Sequence, residues 1–460
     1  MSRTKILIFL LAVYALIAGL CLAIPADGLS AGPFTILAPD LKEAFVHTAK
    51  APAGPSPEEI IAAQSAAVRQ AEQDKFQAYF KENPARIHFP DDDLTLFDDF
   101  FAALDGAGKT PVRILHYGDS QIEEDRITSA IRAGLQKRFG GGGPGLMPFG
   151  RPYYTAQYSQ TSTATLDRAL VFGEGSRRSD GRYGVMGQLA RIDTSVYTTA
   201  APIKSNSTPS RHFNRFTLLA GNVQSLNVKV GSTQYKIEKT VGPEVRRLEI
   251  ALPDSSSSVR FSAWGSADIY GFSLDDSHGV SVDNIPMRGC AGTVFTRMNA
   301  SQLKEYVDAE NVRLIILQFG GNAMPYRKTE KAISEYKSQL ETQIQYLKSI
   351  APDADILFVG PSDMSTSVRG KMQTYPHLPM MVDSLKAAAN DCGAAFWDMY
   401  SAMGGENSMV SWVNARPQLA GSDYVHFTTR GAEAVGNMLV ESLMLYYDYY
   451  RWRKDGKQPR

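Results

Sequence analysis

Arg113-Ile-Leu-His-Tyr-Gly-Asp-Ser-Gln-Ile122 decides how the chain is read. Val112, Ile114 and Leu115 make a short apolar run that stops at Gly118-Asp119, as a buried β-strand does when it meets a turn. An acidic triplet, Glu123-Glu-Asp125, comes next. Ile127, Ile131, Leu135 and Phe139 then recur at helical spacing, so the triplet is expected to open a helix whose positive end suits acids. Ser120 is thereby expected where a strand ends and a helix begins, the ligand-binding edge of an open parallel α/β sheet. The same residues also fit an ordinary βα turn with a capping serine, so the rest of the chain has to decide.

Outward from this stretch the texture changes twice. Gly140-Gly-Gly-Gly-Pro-Gly145 follows a helix rather than a strand and is not followed by Lys-Ser/Thr, so it reads as a helix stop and turn, not a phosphate loop. From about 152 to 275 helical periodicity gives way to short alternating segments: Arg215–Leu219, Leu226–Val230, Arg247–Leu252, Val259–Ala263 and Asp268–Phe272. Gly221-Asn222, Gly231-Ser232 and Pro253-Asp-Ser255 are read as turns between them. This pattern predicts an inserted all-β module, a sandwich or jelly roll. The α/β pattern then resumes. Strands are expected over 280–287, 312–319, 356–359 and 394–397, with helices over 301–309, 333–347, 380–390 and 432–446. The expected fold is therefore a five-stranded, flavodoxin-like parallel sheet, residues 86–151 and 276–452, interrupted by the module 152–275.

Upstream, 94–104 reads as an amphipathic helix, and 26–85 as a spacer with a weaker helix over 57–80. Arg3 and Lys5 precede an unbroken apolar run, Ile6 to Ile24, long enough for one membrane crossing. Residues 1–25 are expected to be a signal anchor that leaves the rest exported, periplasmic or otherwise extracytoplasmic. A cleaved signal is the alternative, and export follows from either. Lys+Arg and Asp+Glu are both 48, which gives a formal net charge of zero and no nucleic-acid footprint. The three cysteines, Cys21, Cys290 and Cys392, form no disulfide framework and have no zinc spacing. Asp91-Asp-Asp93 reads as a solvated turn. No metal or cofactor is expected.

Two later stretches supply partners for Ser120. Gln318-Phe-Gly-Gly-Asn322 closes a predicted strand, and Asp423-Tyr-Val-His426 stands just before the last helix. Nucleophilic catalysis by serine needs a base, a group that orients the base, and donors for the developing oxyanion. His426 fits the base and Asp423 the orienter. The Asn322 amide and the backbone N–H groups of Ser120 and Gly289 fit the donors. His116 reads as a core histidine and Asp276-Ser-His278 as a turn. Met403, Met409 and Trp412 read as loop packing. Asp363, at the end of a strand, is a candidate substrate contact. Gly-x-Ser-x-Gly is absent, which argues against an α/β-hydrolase elbow.

With these blocks in hand, the chain resembles the SGNH (GDSL-type) serine esterases. Their four blocks match Gly118-Asp-Ser120-Gln, Gly289 in Arg-Gly-Cys-Ala-Gly, Gly321-Asn322, and Asp423-x-x-His426, in family order. Gln121 stands where the commonest form has Leu, and Gly292 is a second candidate for the second block. In layout the chain is most similar to exported peptidoglycan and polysaccharide O-acetylesterases with a β-rich insert. The resemblance implies a Ser120-His426-Asp423 triad that removes small acyl groups, chiefly acetyl, from a glycan without a cofactor. An O-acetyltransferase sharing the first half-reaction and a non-catalytic glycan-binding scaffold are the alternatives. The module is expected to leave and rejoin the core on the strand-carboxyl side and overhang the site. There Tyr153, Tyr154, Tyr158, Tyr183, Tyr197 and Trp264, with Arg177, Arg178 and Arg182, would meet sugar. Otherwise its aromatics fill its own core.

Overall fold

A computed structural model describes residues 3–25, 27–37, 57–155, 157–202 and 209–455. Met1–Lys75 and Phe76–Arg460 form two compact units. The first holds the helix Arg3–Ala23 and a small hairpin, Leu29–Ala31 with Phe34–Ile36. Thr4–Ala23 is long and apolar enough to cross a membrane. Much of the expected spacer, residues 38–56, lies outside the described residues. The predicted helix after it runs Pro57–Glu82, and its end belongs to the second unit, where Phe80 stacks on Tyr446.

The second unit is built on a parallel sheet. Its strands are β1 (Val112–Gly118), β2 (Val280–Pro286), β3 (Val312–Gln318), β4 (Asp355–Val359) and β5 (Ala395–Trp397). They lie in the order β2-β1-β3-β4-β5, all parallel, with an antiparallel edge strand, Ile87–His88, beside β5. The expected five strands and flavodoxin-like order are present. The sixth strand is two residues long, too short to leave a periodicity. Alternation sets the two faces. Leu115, Tyr117, Ile315, Leu317 and Phe358 pack with α2 (Ala300–Ala309), α3 (Glu330–Ile350) and α4 (Leu378–Asp391). Ile114, Val282, Leu314, Leu357 and Trp397 pack with α1 (Arg126–Phe139) and α5 (Thr429–Asp455).

The acidic triplet differs from expectation. Glu123–Asp125 form a separate tight turn, with Glu124 and Asp125 at φ +65° and +61°, and α1 begins only at Arg126. The left-handed backbone turns Asp125 inward, where its carboxylate accepts two hydrogen bonds from the buried Arg132, at 2.7 and 3.0 Å. A local ion pair therefore outweighs the weaker attraction to the helix dipole.

Residues 145–275 form a nine-stranded hydrogen-bonded sheet with its own apolar core. Its strands begin at Gly145, earlier than the expected 152. Two long strands, Phe213–Val230 and Val259–Asp275, pair with each other along their length and with different shorter strands at their two ends. Gly221-Asn222 is no turn: Asn222 sits at φ +47° and the register shifts there, so one long strand bulges where two short ones were expected.

The attachment point also corrects an expectation. The chain leaves at Gly140 and returns at Val280, whose N–H donates to the Gly140 carbonyl at 3.0 Å. Val280 pairs with Val112, so departure and return are at the amino ends of the strands, opposite the site. The glycine run makes this crossing possible. A Cβ on Gly141 or Gly143 would collide with the backbone of Val280 or Leu274.

The two sheets are joined by buried charge. Arg113, 1 % exposed, donates to Asp283 at 2.7 Å and to Asp275 of the module, with Glu310 at 2.8 Å. Arg215 reaches Asp275 at 2.7 Å, Arg247 pairs with Glu310, and Tyr306 donates to Asp283 at 2.8 Å. Asp283 also accepts the Leu146 N–H from the module's first strand at 2.8 Å. Arg113→Met would leave carboxylates buried without their counter-charge. A loss of about 3–5 kcal/mol in urea unfolding of the full chain is expected. An unchanged midpoint would mean that the cluster holds nothing together.

Candidate active site

A cleft of about 360 Å³ opens at the carboxyl ends of the parallel strands. Each strand delivers residues to it through the loop that follows: Ser120 after β1, Gly289 after β2, Asn322 after β3, Ser362 after β4 and Met399 after β5. His426 enters from the loop before α5. Parallel strands point their ends the same way, so residues far apart in sequence converge.

Ser120 Oγ lies 2.8 Å from His426 Nε2, and His426 Nδ1 lies 2.7 Å from Asp423 Oδ2. Asp423 also closes its own turn, since its Oδ1 accepts the N–H groups of Val425 and His426, both at 3.0 Å. Tyr424 between them takes a left-handed φ of +58°, a strained conformation held by those bonds. Burial works to raise the Asp423 pKa, but the hydrogen bonds from the His426 ring and the two amides outweigh it and hold the carboxyl below its usual range. The side chains of His426 and Asp423 are 38 % and 52 % exposed, so the base is open to water.

Asn322 Nδ2 donates to Asp119 Oδ2 at 3.0 Å and to the Cys290 carbonyl at 3.3 Å. Both amide hydrogens are engaged, and the longer bond is the weaker. Burial lifts Asp119 to about 6, against the Gln121 N–H, the charge of His426 and the Asn322 amide, which pull it down. Gly289 lines the cleft at φ +73°, in a turn closed by Cys290 N–H donating to Met287 O at 2.9 Å. Gly292 is packed against the Phe319 ring and does not line the cleft.

Other sequence candidates separate clearly. Asp363 is fully buried and holds Thr374 Oγ1 at 2.8 Å and the Met409 N–H at 2.8 Å, so it braces loops and does not line the cleft. Among the described cleft-lining residues none comes from 145–275. Tyr158 and Tyr183 are buried. Arg177 is spent on the carbonyls of Leu170, Phe172 and Gly173, and Arg178 on Asp180 and Asp268. Tyr154 and Tyr197 are exposed, away from the cleft. The overhanging sugar face is thus replaced, for these buried residues, by core packing.

Sequence reasoning missed two rim residues. Tyr326, 82 % exposed, lines the cleft four residues after Asn322. Its backbone is fixed by a 3-10 turn whose Met324 is buried. Arg288 lines it beside Gly289, with its side chain 75 % exposed and 2.8 Å from Glu123. The signal was nearness to the blocks, which strand reading passed over.

His116 is the core histidine expected, bonded at both ring nitrogens to Gln318 at 3.1 Å and Thr128 at 2.9 Å. Burial drives it from 6.5 down to about 3. A base with a depressed folded pKa contributes stability that is present above 6.5 and lost as pH falls toward 3. Melting temperature is therefore expected to fall over that window, with a shallower slope in His116→Gln. An unchanged slope would contradict the assignment.

Residues 254–434 match the model of the GDSL-like Lipase/Acylhydrolase family. The span includes Gly289, Asn322, Asp423 and His426 and begins after Ser120. No curated protein matches the chain. A solved structure described as "Peptidoglycan O-acetylesterase in action, 5 min" is similar at TM-score 0.63 and 20 % identity, covering 77 % of this chain and 96 % of that one. An acetyl xylan esterase aligns at TM-score 0.26 and 12 % identity, over 36 % of this chain and 81 % of its own. A family two carbohydrate esterase from Clostridium thermocellum, in complex with cellohexaose, aligns at TM-score 0.26 and 9 % identity, over 57 % and 95 %.

Proposed function

We propose, from the match of residues 254–434 to the GDSL-like Lipase/Acylhydrolase family, that the chain is an exported serine esterase that removes acetyl groups from a polysaccharide. The observation that carries the reading is the continuous chain of hydrogen bonds from Ser120 Oγ through the His426 ring to Asp423, open to a cleft.

In this reading Ser120 Oγ attacks the ester carbonyl while His426 Nε2 takes its proton. Asp423 holds the imidazole in the tautomer that can accept it and stabilises the imidazolium. The C–O bond to the sugar breaks as His426 returns the proton to the leaving hydroxyl. Water, deprotonated by His426, then releases acetate from the acyl-enzyme. The oxyanion is met by the N–H groups of Ser120 and Gly289 and by Asn322, which gives up its long contact to the Cys290 carbonyl. Tyr326 supports a glycan substrate: an aromatic face, electron-rich, attracts the C–H edges of a sugar ring. The apolar helix Arg3–Ala23 supports attachment to a membrane.

Ser120→Ala should lower hydrolysis of p-nitrophenyl acetate by the full chain by more than about a thousand-fold without changing its melting temperature. Wild-type turnover would sink the triad. Asn322→Ala should lower kcat about a hundred- to a thousand-fold with KM little changed, whereas a change in KM alone would make Asn322 a substrate contact. Tyr326→Ala should raise KM on acetylated xylan about two- to tenfold. An unchanged KM there would remove the support for a sugar-stacking rim.

A further inference from the structure

Asp423 and His426 lie on one four-residue turn, and that turn is closed from within: Asp423 holds two of its amides, and Gly421 N–H donates to the His426 carbonyl at 2.8 Å. The His–Asp geometry is therefore local. What is not local is the distance between this turn and Ser120, which is 306 residues away in sequence. The turn is also half-exposed, so packing alone grips it weakly.

Gln121 spans that gap. It follows Ser120 directly and is 8 % exposed. Its backbone N–H donates to Asp119 Oδ1 at 2.9 Å, which pins the nucleophile loop. Its side-chain Nε2 donates to the Val425 carbonyl at 2.6 Å, and its Oε1 accepts the Phe427 N–H at 3.4 Å. One amide thus holds the backbone on both sides of His426. Arg126 adds a second tie, donating to the Ser120 carbonyl at 2.8 Å and to the Phe427 carbonyl at 3.1 Å. A leucine at position 121 has neither a donor nor an acceptor to offer.

Resting on the reading of Ser120 as nucleophile, we infer that Gln121 is a positioning residue that sets the Ser120–His426 distance by clamping the two peptide groups flanking the base. It touches no reacting atom. It acts on the rate of proton transfer from Ser120 because a displacement of about 1 Å at that hydrogen bond costs on the order of a hundred-fold.

The test compares the full chain with Gln121→Leu, Gln121→Glu and Ser120→Ala. Two readouts are used: kcat and KM on p-nitrophenyl acetate, and the labelling rate by a fluorophosphonate. In labelling, the Ser120 Oγ–P bond forms, the P–F bond breaks, His426 takes the proton and fluoride leaves, so the rate reports attack by the serine without the deacylation step. Gln121→Leu is expected to lower kcat and the labelling rate together, by about ten- to a hundred-fold, with KM within about twofold. Gln121→Glu keeps the shape but sets a carboxylate against the Val425 carbonyl, so it should show the same loss. It also serves if the leucine variant fails to fold. Wild-type kcat and labelling in a folded Gln121→Leu or Gln121→Glu would overturn the inference, as would a change confined to KM. If Ser120→Ala remains active and is still labelled, the reading of the nucleophile fails instead.

Discussion

The molecule depends on a positive charge placed inside it. Arg113 opens the central strand, inside the stretch that decides the fold, and is buried among Asp275, Asp283 and Glu310. Such a charge cannot be left uncompensated, and its partners come from three places: β2, the end of α2 and the last strand of the β-module. Replacing a buried cluster by apolar groups often leaves net stability unchanged or improves it. What a cluster of this kind supplies is specificity, because few other arrangements of the strands bring these opposite charges together. It also makes the module part of one body with the α/β sheet, in keeping with the single compact unit Phe76–Arg460.

Anchoring at the amino ends leaves the carboxyl ends free. The order β2-β1-β3-β4-β5 reverses direction between β1 and β3, and a crevice opens where the chain departs to opposite sides. Ser120 and Asn322 follow those two strands. The module joins the core at the amino ends through Asp275, while its loop about Val171 and Tyr183 packs on Tyr117 and Met287 near the carboxyl ends of β1 and β2.

The parallel strands were legible because burial on both faces leaves near-continuous apolar runs, as in Val312–Phe319. The site residues were legible because each ends a strand or precedes a helix in a short motif. Other features were hidden for physical reasons. Asp125 looked like a helix-opening acid because its partner, Arg132, is seven residues away on a face that no periodicity marks. Asn222 looked like a turn because a bulge needs the same left-handed conformation. Tyr158 and Tyr183 could not be told from exposed rings, since residue type does not report burial. The direction of the module's attachment was misjudged because the glycine run was read as a stop and not as the place where two chain passages cross.

The position of β1 in the sheet has a consequence for how the chain is made. Its neighbours on either side, β2 and β3, both come after the module; Asp283 in β2 is 170 residues beyond Arg113. During synthesis the strand that founds the core is finished first and then waits, both edges unpaired, while the whole β-module is added. Long-range pairing of this kind is slow, and an apolar strand with open edges invites wrong partners. Arg113 and His116 interrupt what would otherwise be an uninterrupted apolar ribbon. The charge that later locks the two sheets together thus also acts as a gatekeeper against aggregation until its partners arrive.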